Sequence, residues 1–521
     1  MSKNPSKFAL LSVFDKTGIV DFAKSISSLG YKIISTGGTA KILNENNIKV
    51  IPIQEITKNP ESFDGRMKTI SFQVESGILF DRSNKKHVKE ARDLKINPID
   101  IVVCNLYPFE KTIANPKVKL YDAIENIDVG GPTMIRAAAK NYQHVIVITD
   151  PNNYIDISSS LSSDGVSEEK RKEMAAKAFA HLSLYDSQIA KFLEKDFFPQ
   201  ELTIPGRKKR ILRYGENPHQ KGAVYMFPNN NSPLNNLKRQ WGRELSYVNL
   251  TDINAGLESV RLFKEPAAAV IKHNSPCGLA LGKDSAESLK RAIEGDPESA
   301  FGGIIVLNTT MNMAAAKVIG KFKDEKRANI DIAAIPKIEK NALDYLSKLR
   351  KSMGIYTFGK IPKKKTHDEN IKFIDGGFIV QTEDSEIENG FKNWRIVTKK
   401  KPTKIQIKQM KIAWKFISRI RSNAIIVVDK KLPMTRGIGS GQTSRVRSTK
   451  IALEQAGKFA KRGILASDSF FPFDDSVRLA IKHGISAIVQ QGGSVNDKLS
   501  IDVTNKANIS MVFTNRRAFW H

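Results

Sequence analysis

The densest group of chemically capable side chains in this 521-residue sequence is Val270-Ile271-Lys272-His273-Asn274-Ser275-Pro276-Cys277-Gly278, a Lys-His pair closing an apolar run. An imidazole with a pKa of about 6.5 accepts a proton at neutral pH, and an ammonium beside it stabilises developing negative charge. A Lys-His dipeptide alone is more often surface. Its position before a Pro-Cys-Gly turn at a strand end argues for a site, because ligands gather there in α/β sheets. Cys277 admits two readings, a nucleophile or a small buried turn residue. The second is favoured because no oriented Cys-His-Asp set is evident.

Glycine-rich turns point to anions. Ser35-Thr36-Gly37-Gly38-Thr39 follows an apolar run and precedes a helical stretch at 40–44. Two glycines let backbone N–H groups approach a ligand, and a helix N-terminus favours negative charge. A plain tight turn is the competing reading. Asn126-Ile127-Asp128-Val129-Gly130-Gly131-Pro132-Thr133 leads into a helix at 134–141, with Pro132 suited to a first turn and Thr133 to a cap. Arg136 and Lys140 share a helix face, which a solvated basic surface explains equally well. Lys68, in Asp64-Gly65-Arg66-Met67-Lys68-Thr69, adds a cation, and two glycine-rich helix starts in one α/β unit favour a phosphorylated substrate.

Three more patches are dense in functional residue types: 212–220, 437–445 and 467–473. The glycine string Gly437-Ile438-Gly439-Ser440-Gly441 permits close backbone approach but lacks the dinucleotide fingerprint's spacing. Phe470, Phe471 and Phe473 around Pro472 suit either a core or the walls of a slot for a flat heterocycle such as a pterin.

The elements that must position these groups alternate strand-like and amphipathic runs, which predicts α/β layering with a largely parallel sheet. Strands are expected at 8–14, 31–35, 100–106 and 145–149, and a helix at 168–195. Ile19, Phe22, Ala23, Ile26 and Leu29 recur at helical spacing before Gly30. A boundary falls near residue 200, where Pro199, Pro205, Gly206 and Arg207-Lys208-Lys209-Arg210 mark an exposed connection. Beyond it strands are expected at 267–271, 303–307, 424–428, 485–489 and 509–513. Residues 320–400 read as more polar and helical, with a turn at Gly376-Gly377, and the second part divides near 370. No internal repeat is visible.

Composition excludes several classes. With 40% hydrophobic and 26% charged residues, the chain has enough apolar surface to fold, so disorder is out for most of it. Two cysteines, Cys104 and Cys277, exclude a disulfide scaffold and a four-cysteine zinc site and fit a cytoplasmic location. No apolar run approaches the ~18 residues of a membrane span. The first apolar run meets Asp15 and Lys16 and lacks a cleavage signature, so it reads as a strand and not a signal peptide. The excess of 83 basic over 54 acidic side chains, +29, creates a field that attracts anions. Nucleic acid is the rival partner this suggests. Lys363-Lys364-Lys365 and Lys399-Lys400-Lys401 are short and scattered, however, and build no basic stripe.

Taken in order, these segments resemble the bifunctional purine biosynthesis family, which combines phosphoribosylaminoimidazolecarboxamide formyltransferase with IMP cyclohydrolase. The resemblance runs essentially the whole chain: Leu11-Ser12-Val13, Ser35-Thr36-Gly37-Gly38-Thr39, Asn105-Leu106-Tyr107-Pro108-Phe109, 126–141, 213–220, Lys272-His273, 299–303, Ser422-Asn423-Ala424, 437–445 and 514–521. It implies an α/β fold with an N-terminal methylglyoxal-synthase-like cyclohydrolase domain at 1–199. A transformylase region of two cytidine-deaminase-like subdomains follows, at 200–370 and 371–521, without the deaminase zinc. It also implies a cytoplasmic homodimer with transferase sites formed between subunits, and neither nucleic acid nor membrane as partner.

By the same resemblance, Lys272, His273, Asn423 and His521 carry formyl transfer from 10-formyltetrahydrofolate to 5-aminoimidazole-4-carboxamide ribonucleotide. His273 takes the proton, Lys272 supports the developing charge and Asn423 orients the formyl group. Arg213, Tyr214 and Arg517 hold the nucleotide, with Phe470 and Asp475 near the folate and Arg445 a further substrate-binding residue. Lys68, Tyr107, Asp128 and Lys140 carry dehydrative closure to inosine monophosphate, with Ser12, Lys16, Ser35, Thr36, Gly37, Gly38, Thr39, Arg66, Asn105 and Gly130 around the substrate. The co-substrate is the folate; no metal is implied at either site, and a potassium requirement stays open.

The sequence departs from the family pattern in places. After Lys68-Thr69 the family usually reads Leu-His-Pro-Lys and then a second His, where this chain has Ile70-Ser71-Phe72-Gln73 and Glu75. Phe14 replaces a usual serine, Asp474 a usual arginine, Ser418 a common lysine, and Trp520 precedes the final His521. The first group falls in the cyclohydrolase half, which leaves a transferase-only protein as the alternative.

Overall fold

Residues 8–13 are apolar at almost every position, the pattern of a parallel strand covered on both faces, and they form the centre of the first sheet. The computed structural model describes residues 6–63, 65–326, 329–364 and 368–521, with side chains 323–326 left out; Asp64 and Lys365 lie outside it. The chain divides into two compact units, Met1–Arg207 with Phe227–Asn229, and Lys208–Met226 with Asn230–His521. Among the described residues no helix is long and apolar enough to cross a membrane.

In the first unit β1 (Lys7–Val13), β2 (Tyr31–Ser35), β3 (Val50–Pro52), β4 (Ile99–Asn105) and β5 (Ile146–Ile148) form an all-parallel sheet in the order β3-β2-β1-β4-β5. The expected strands are present, with ends moved by a residue or so. Helix α1 (Ile19–Ser28) buries Ile19, Phe22, Ala23 and Ile26, and Gly30 adopts the left-handed φ of 86° that ends it. Three further helices matter below: α2 (Gly37–Glu45), α3 (Phe72–Leu79) and α4 (Gly130–Lys140). Helix α5 (Glu168–Leu193) starts at the Ser167 cap. Helix α4 begins earlier than expected: the Thr133 hydroxyl donates back to Val129 O at 2.8 Å and caps nothing. Strand order reverses between β1 and β4, which opens a crevice at their C-terminal ends.

The second unit opens with a ribbon, β6 (Arg207–Ile211) and β7 (Ala223–Met226). Then come β8 (Lys238–Trp241), β9 (Ala267–Lys272), β10 (Ser275–Leu281), β11 (Ile304–Leu307), β12 (Ile332–Ile335) and β13 (Gly354–Thr357), ordered β10-β9-β11-β12-β13-β8. After the hairpin β14 (Glu369–Ile374) and β15 (Gly377–Thr382) lie β16 (Arg395–Ile396), β17 (Ile425–Val428), β18 (Thr435–Gly439), β19 (Ile464–Ser467), β20 (Ala487–Gln490) and β21 (Ser510–Phe513). Their order, β16-β21-β20-β19-β17-β18, repeats the β8–β13 sheet strand for strand, with the same parallel and antiparallel pairings. The unit is a structural duplication with no repeat in its sequence. One core, including Ile271, Val306, Ile426 and Val489, is shared by both sheets.

One expectation needs correcting, and another gains its partner. Residues 320–400 contain helices at Met313–Lys326 and Lys340–Leu349, but also β12 to β15. The buried Ile-Ala-Ala-Ile of β12 has no alternation to read. The glycines of 437–439 lie in a strand: a Cβ on Gly437 would stand 1.9 Å from Ala452 O, and one on Gly439 2.1 Å from Ser448 O. They let the helix Arg445–Ala456 pack against β18, so their role is packing.

Candidate active sites

At the β1–β4 crevice the loops are built from the strand ends. Asn105 Oδ1 accepts from Phe14 N at 2.6 Å and Asp15 N at 2.8 Å. Thr39 Oγ1 bridges Val13 N (3.1 Å) and Val13 O (3.0 Å), and the buried Ser35 hydroxyl donates to Leu11 O at 2.6 Å. These three side chains shape the loop through backbone contacts; Ser12 lies beside them on β1, paired with Cys104. Gly37 has φ +47°, and Thr36 provides no side-chain cap, so the first N–H groups of α2 face outward. A Cβ on Gly37 would lie 3.0 Å from Lys68 Nζ, and one on Gly38 3.9 Å from Lys16 Nζ. Two ammonium groups thus flank a glycine turn at a helix start, an arrangement suited to phosphate. Burial lowers the Lys16 pKa, against the opposing pull of Asp15. Lys68 also pairs with Glu61 at 3.1 Å, and Arg66 Nε with Glu125 at 3.3 Å.

Asp128 lies at the start of α4. Its carboxylate accepts from Gly131 N at 2.8 Å and from Tyr107 N, while its own N–H donates to the Tyr185 hydroxyl at 2.7 Å. Burial raises its pKa and those two backbone donors hold the rise back. Gly130 packs on Thr69, whose Oγ1 a Cβ would meet at 2.5 Å. The exposed Tyr107 ring leans on Phe14, centroids 5.3 Å apart, so the phenylalanine at that divergent position buttresses it. Lys140 is elsewhere. Eleven residues at ~1.5 Å each put the ends of α4 about 15 Å apart. Lys140 lies there, exposed, in a groove of about 520 Å³ with Arg136, Tyr142, Lys172 and Phe179. At the divergent stretch Ser71 caps α3 by accepting from Val74 N at 3.2 Å, and burial pushes the Glu75 carboxyl up to about 7.

In the second unit Lys272 and Ser275 pair across the β9–β10 hairpin, whose turn residues His273 and Asn274 have φ of 53° and 60°. Both central residues are left-handed, as a two-residue hairpin of primed type requires. Buried Asp252, on α6 (Tyr247–Val260), holds the turn by accepting from Asn274 N. Its burial raises its pKa, while Asn274 and His273 favour the carboxylate. Lys272 Nζ donates to Phe301 O at 2.8 Å. With the Asn274 amide oriented to satisfy its neighbours, its oxygen accepts from Arg421 at 2.9 Å and its nitrogen donates to Thr251 O at 3.1 Å.

Arg421 brings in the second sheet's loop. Asn423 Nδ2 donates to Gln442 O at 2.9 Å, and its Oδ1 accepts from Arg445 at 2.8 Å. Arg445, buried at the start of its helix, also donates to Ser467 at 2.8 Å and pairs with the fully buried Asp468, which accepts from Ala424 N at 2.9 Å. Ser422 N donates to Trp520 O at 3.0 Å, joining the tail that ends in His521. Arg213 stacks on Tyr214, 4.6 Å from its ring, and Tyr214 O accepts from Tyr247 N at the start of α6. Phe470 is half-buried beyond β19, Phe471 is core and Phe473 is exposed; Asp475 opens the helix Asp475–Lys482. Asp474 is neutralised by Arg478 at 2.7 Å, and the Ser418 hydroxyl is taken by Lys415 O at 2.8 Å.

Cys277 is buried and its thiol is pushed up to about 12 by that burial, which is the inert turn residue favoured from the sequence. Among the described residues no group of three or more His, Cys, Asp or Glu is placed to hold a metal. Asp252 and Arg421 were not predicted, and Asp468 was singled out only as part of the 467–473 patch, with no role of its own. A single Asp on the buried face of an amphipathic helix was the one available signal, for Asp252.

Residues 138–455 match the family model for the AICARFT/IMPCHase bienzyme, and residues 18–133 match the model for the MGS-like domain. The chain belongs to the AICARFT/IMPCHase bienzyme family. It is 44% identical over 520 residues to the bifunctional purine biosynthesis protein PurH of Thermoanaerobacter sp. (strain X514), covering 99% of this chain and 100% of that one. The same identity and coverage hold for the PurH of Bacillus cereus (strain AH820). The crystal structure of ForH aligns with 37% of this chain and all of its own at 31% identity and a TM-score of 0.33, too low to carry an argument. As a member of this family the chain is a formyltransferase and an IMP cyclohydrolase, with 10-formyltetrahydrofolate as co-substrate. Nothing favours a transferase-only protein.

Proposed function

We propose that the two activities of this bienzyme divide between the two clusters: formyl transfer around the His273 turn, ring closure at the β1–β4 crevice. The substrate amine is a poor nucleophile, because its lone pair delocalises into the imidazole and carboxamide. His273 removes its proton as it attacks the formyl carbon, and the Lys272 ammonium stabilises the oxyanion that forms. Asn423, locked between Gln442 and Arg445, orients the formyl oxygen. His521 assists His273. Arg213, Tyr214 and Arg517 hold the nucleotide, and Phe470 and Asp475 lie toward the folate. Arg445 acts through Asn423. Holding both reactants in line supplies much of the remaining acceleration.

Closure follows when the carboxamide nitrogen attacks the new formyl carbon and water leaves. Lys16, Lys68 and the Gly37–Gly38 turn hold the phosphate. Tyr107 and Lys68 polarise and protonate the departing oxygen, while Asp128 takes up the amide proton. Lys140 lies too far along its helix to reach this crevice in its own chain. We therefore assign it to the crevice of a second copy in a homodimer. The three-part division at 199/200 and 370/371 and a cytoplasmic location complete the proposal; two free, buried cysteines fit that compartment.

The observation that most supports this reading is the Arg421–Asn274 contact at 2.9 Å, which links the Lys272–His273 turn of one sheet to the Asn423 loop of the other. Purified protein given the carboxamide ribonucleotide and 10-formyltetrahydrofolate tests it. Release of tetrahydrofolate together with inosine monophosphate is expected, and no release at all would refute it. Dialysis against potassium-free buffer decides the potassium requirement.

A further inference from the structure

The tail at 517–521 alternates in exposure. Ala518 is buried and its N–H donates to Asp468 O at 2.7 Å, and Trp520 is half-buried. Arg517, Phe519 and His521 face outward and touch in sequence, the guanidinium 4.8 Å from the Phe519 ring and the Phe519 and His521 rings edge-to-face with centroids 5.6 Å apart. In such a chain, fixing the inward residues fixes the outward ones. Trp520 is fixed twice: its carbonyl accepts from Ser422 N at 3.0 Å, and its ring lies 4.8 Å from the Arg419 guanidinium.

Arg419 is itself immobilised. It is buried, donates to Asp384 O at 2.9 Å and Ser418 O at 3.1 Å, and sits 3.6 Å from Glu383 and 3.9 Å from Glu258. Lys364 completes the group, 3.1 Å from each of those buried carboxylates. Glu258 lies on α6, the helix whose Asp252 holds the His273 turn. One helix therefore braces both the turn and the tail.

We propose that Trp520, seated on Arg419, is a positioning residue for formyl transfer that sets His521 relative to the His273 turn. This rests on the assignment of His521 to the transferase site. A planar guanidinium is what the indole face needs; a lysine ammonium does not stack in this way.

Full-length W520A, W520F, R419K, H521A and W520A/H521A are compared in formyl transfer and, separately, in closure of formylated substrate. W520A and R419K are expected to lower the transfer kcat by about tenfold to a hundredfold, the cost of slight misplacement, with KM near wild type and closure unchanged. W520F keeps most of the rate, because a phenyl face still accepts the guanidinium. The double variant is no slower than H521A, since Trp520 acts through that residue. Wild-type kcat in W520A, additive losses in the double variant, or loss of closure alongside transfer overturns the proposal. If W520A is insoluble, R419K decides alone, and a wild-type kcat there overturns it. A slow H521A with a wild-type W520A refutes the role of Trp520 only; a wild-type H521A refutes the assignment of His521 as well.

Discussion

Asp252 offers a quantitative test of how His273, the proposed base, is held. It is 5% exposed, and its carboxylate receives the Asn274 N–H in a turn where two non-glycine residues are left-handed. Removing the carboxylate in D252A leaves that N–H unpaired and releases a turn that L-residues adopt reluctantly. A hydrogen bond to a charged group contributes about 1.5–3 kcal/mol, and each left-handed residue costs about 1–2 kcal/mol. The left-handed strain is what drives the freed turn open, and the lost bond sets the size of the change, about 1.5–3 kcal/mol against the held turn. At about 1.4 kcal/mol per decade this lowers its held-to-free ratio roughly 12- to 140-fold. The kcat/KM for formyl transfer, followed as tetrahydrofolate release, should fall by that factor, while closure of formylated substrate is unaffected. D252N keeps an acceptor oxygen in place and should retain most of the activity. Wild-type transfer in D252A, or an equal fall in closure, would refute the reasoning.

K272A should abolish transfer and leave closure intact, and K140A should do the reverse, as two separate assays will show. Mixing K140A with K68A should restore part of the closure activity, because a hybrid dimer then holds one complete crevice; no recovery counts against the partner assignment. R445A strands the buried Asp468 charge and should destabilise the second unit by about 3–5 kcal/mol, read from denaturant midpoints. Glu75 has a folded pKa of about 7 against an ordinary 4.5, so its contribution to stability is full below 4.5 and lost as pH rises through 7. The urea midpoint of the first unit should fall between about pH 5 and pH 8, and E75Q should flatten that fall.

The strands that carry these sites were legible where burial on both faces left apolar runs, as in β1, β4 and β9, and where glycine closed a helix, as at Gly30. Lys272 at the end of β9 and His273 in the turn were legible for the same reason: polar side chains stand out at the end of such a run. Strands β12 and β18 were not, since an Ala-rich buried strand and a strand interrupted by glycines have no period to read. The duplication in the second unit was invisible because topology constrains burial and pairing, not residue identity. Asp252 and Arg421, and the role of Asp468 within its flagged patch, escaped because they are defined by partners far along the chain: Asp252 meets Asn274 across 22 residues, and Asp468 meets Ala424 across 44.

On the proposed assignment, the duplication also explains why transfer chemistry draws on both halves of the second unit. The β9–β10 connection is a two-residue turn that presents Lys272 and His273 at the sheet end. Its counterpart between β17 and β18 is a longer loop folded on Asp429, whose carboxylate accepts from Lys431 N, Leu432 N and Arg436. That loop carries no histidine. The second sheet contributes instead from the entry to β17, where Asn423 and Arg421 lie, and from the tail beyond β21. A proton acceptor and an oxyanion donor must sit on a rigid element, whereas the group that orients a mobile formyl donor must approach from the facing side. Two copies of one sheet that share a core meet both demands, because α6 fixes the turn through Asp252 and the tail's anchor through Glu258 at once.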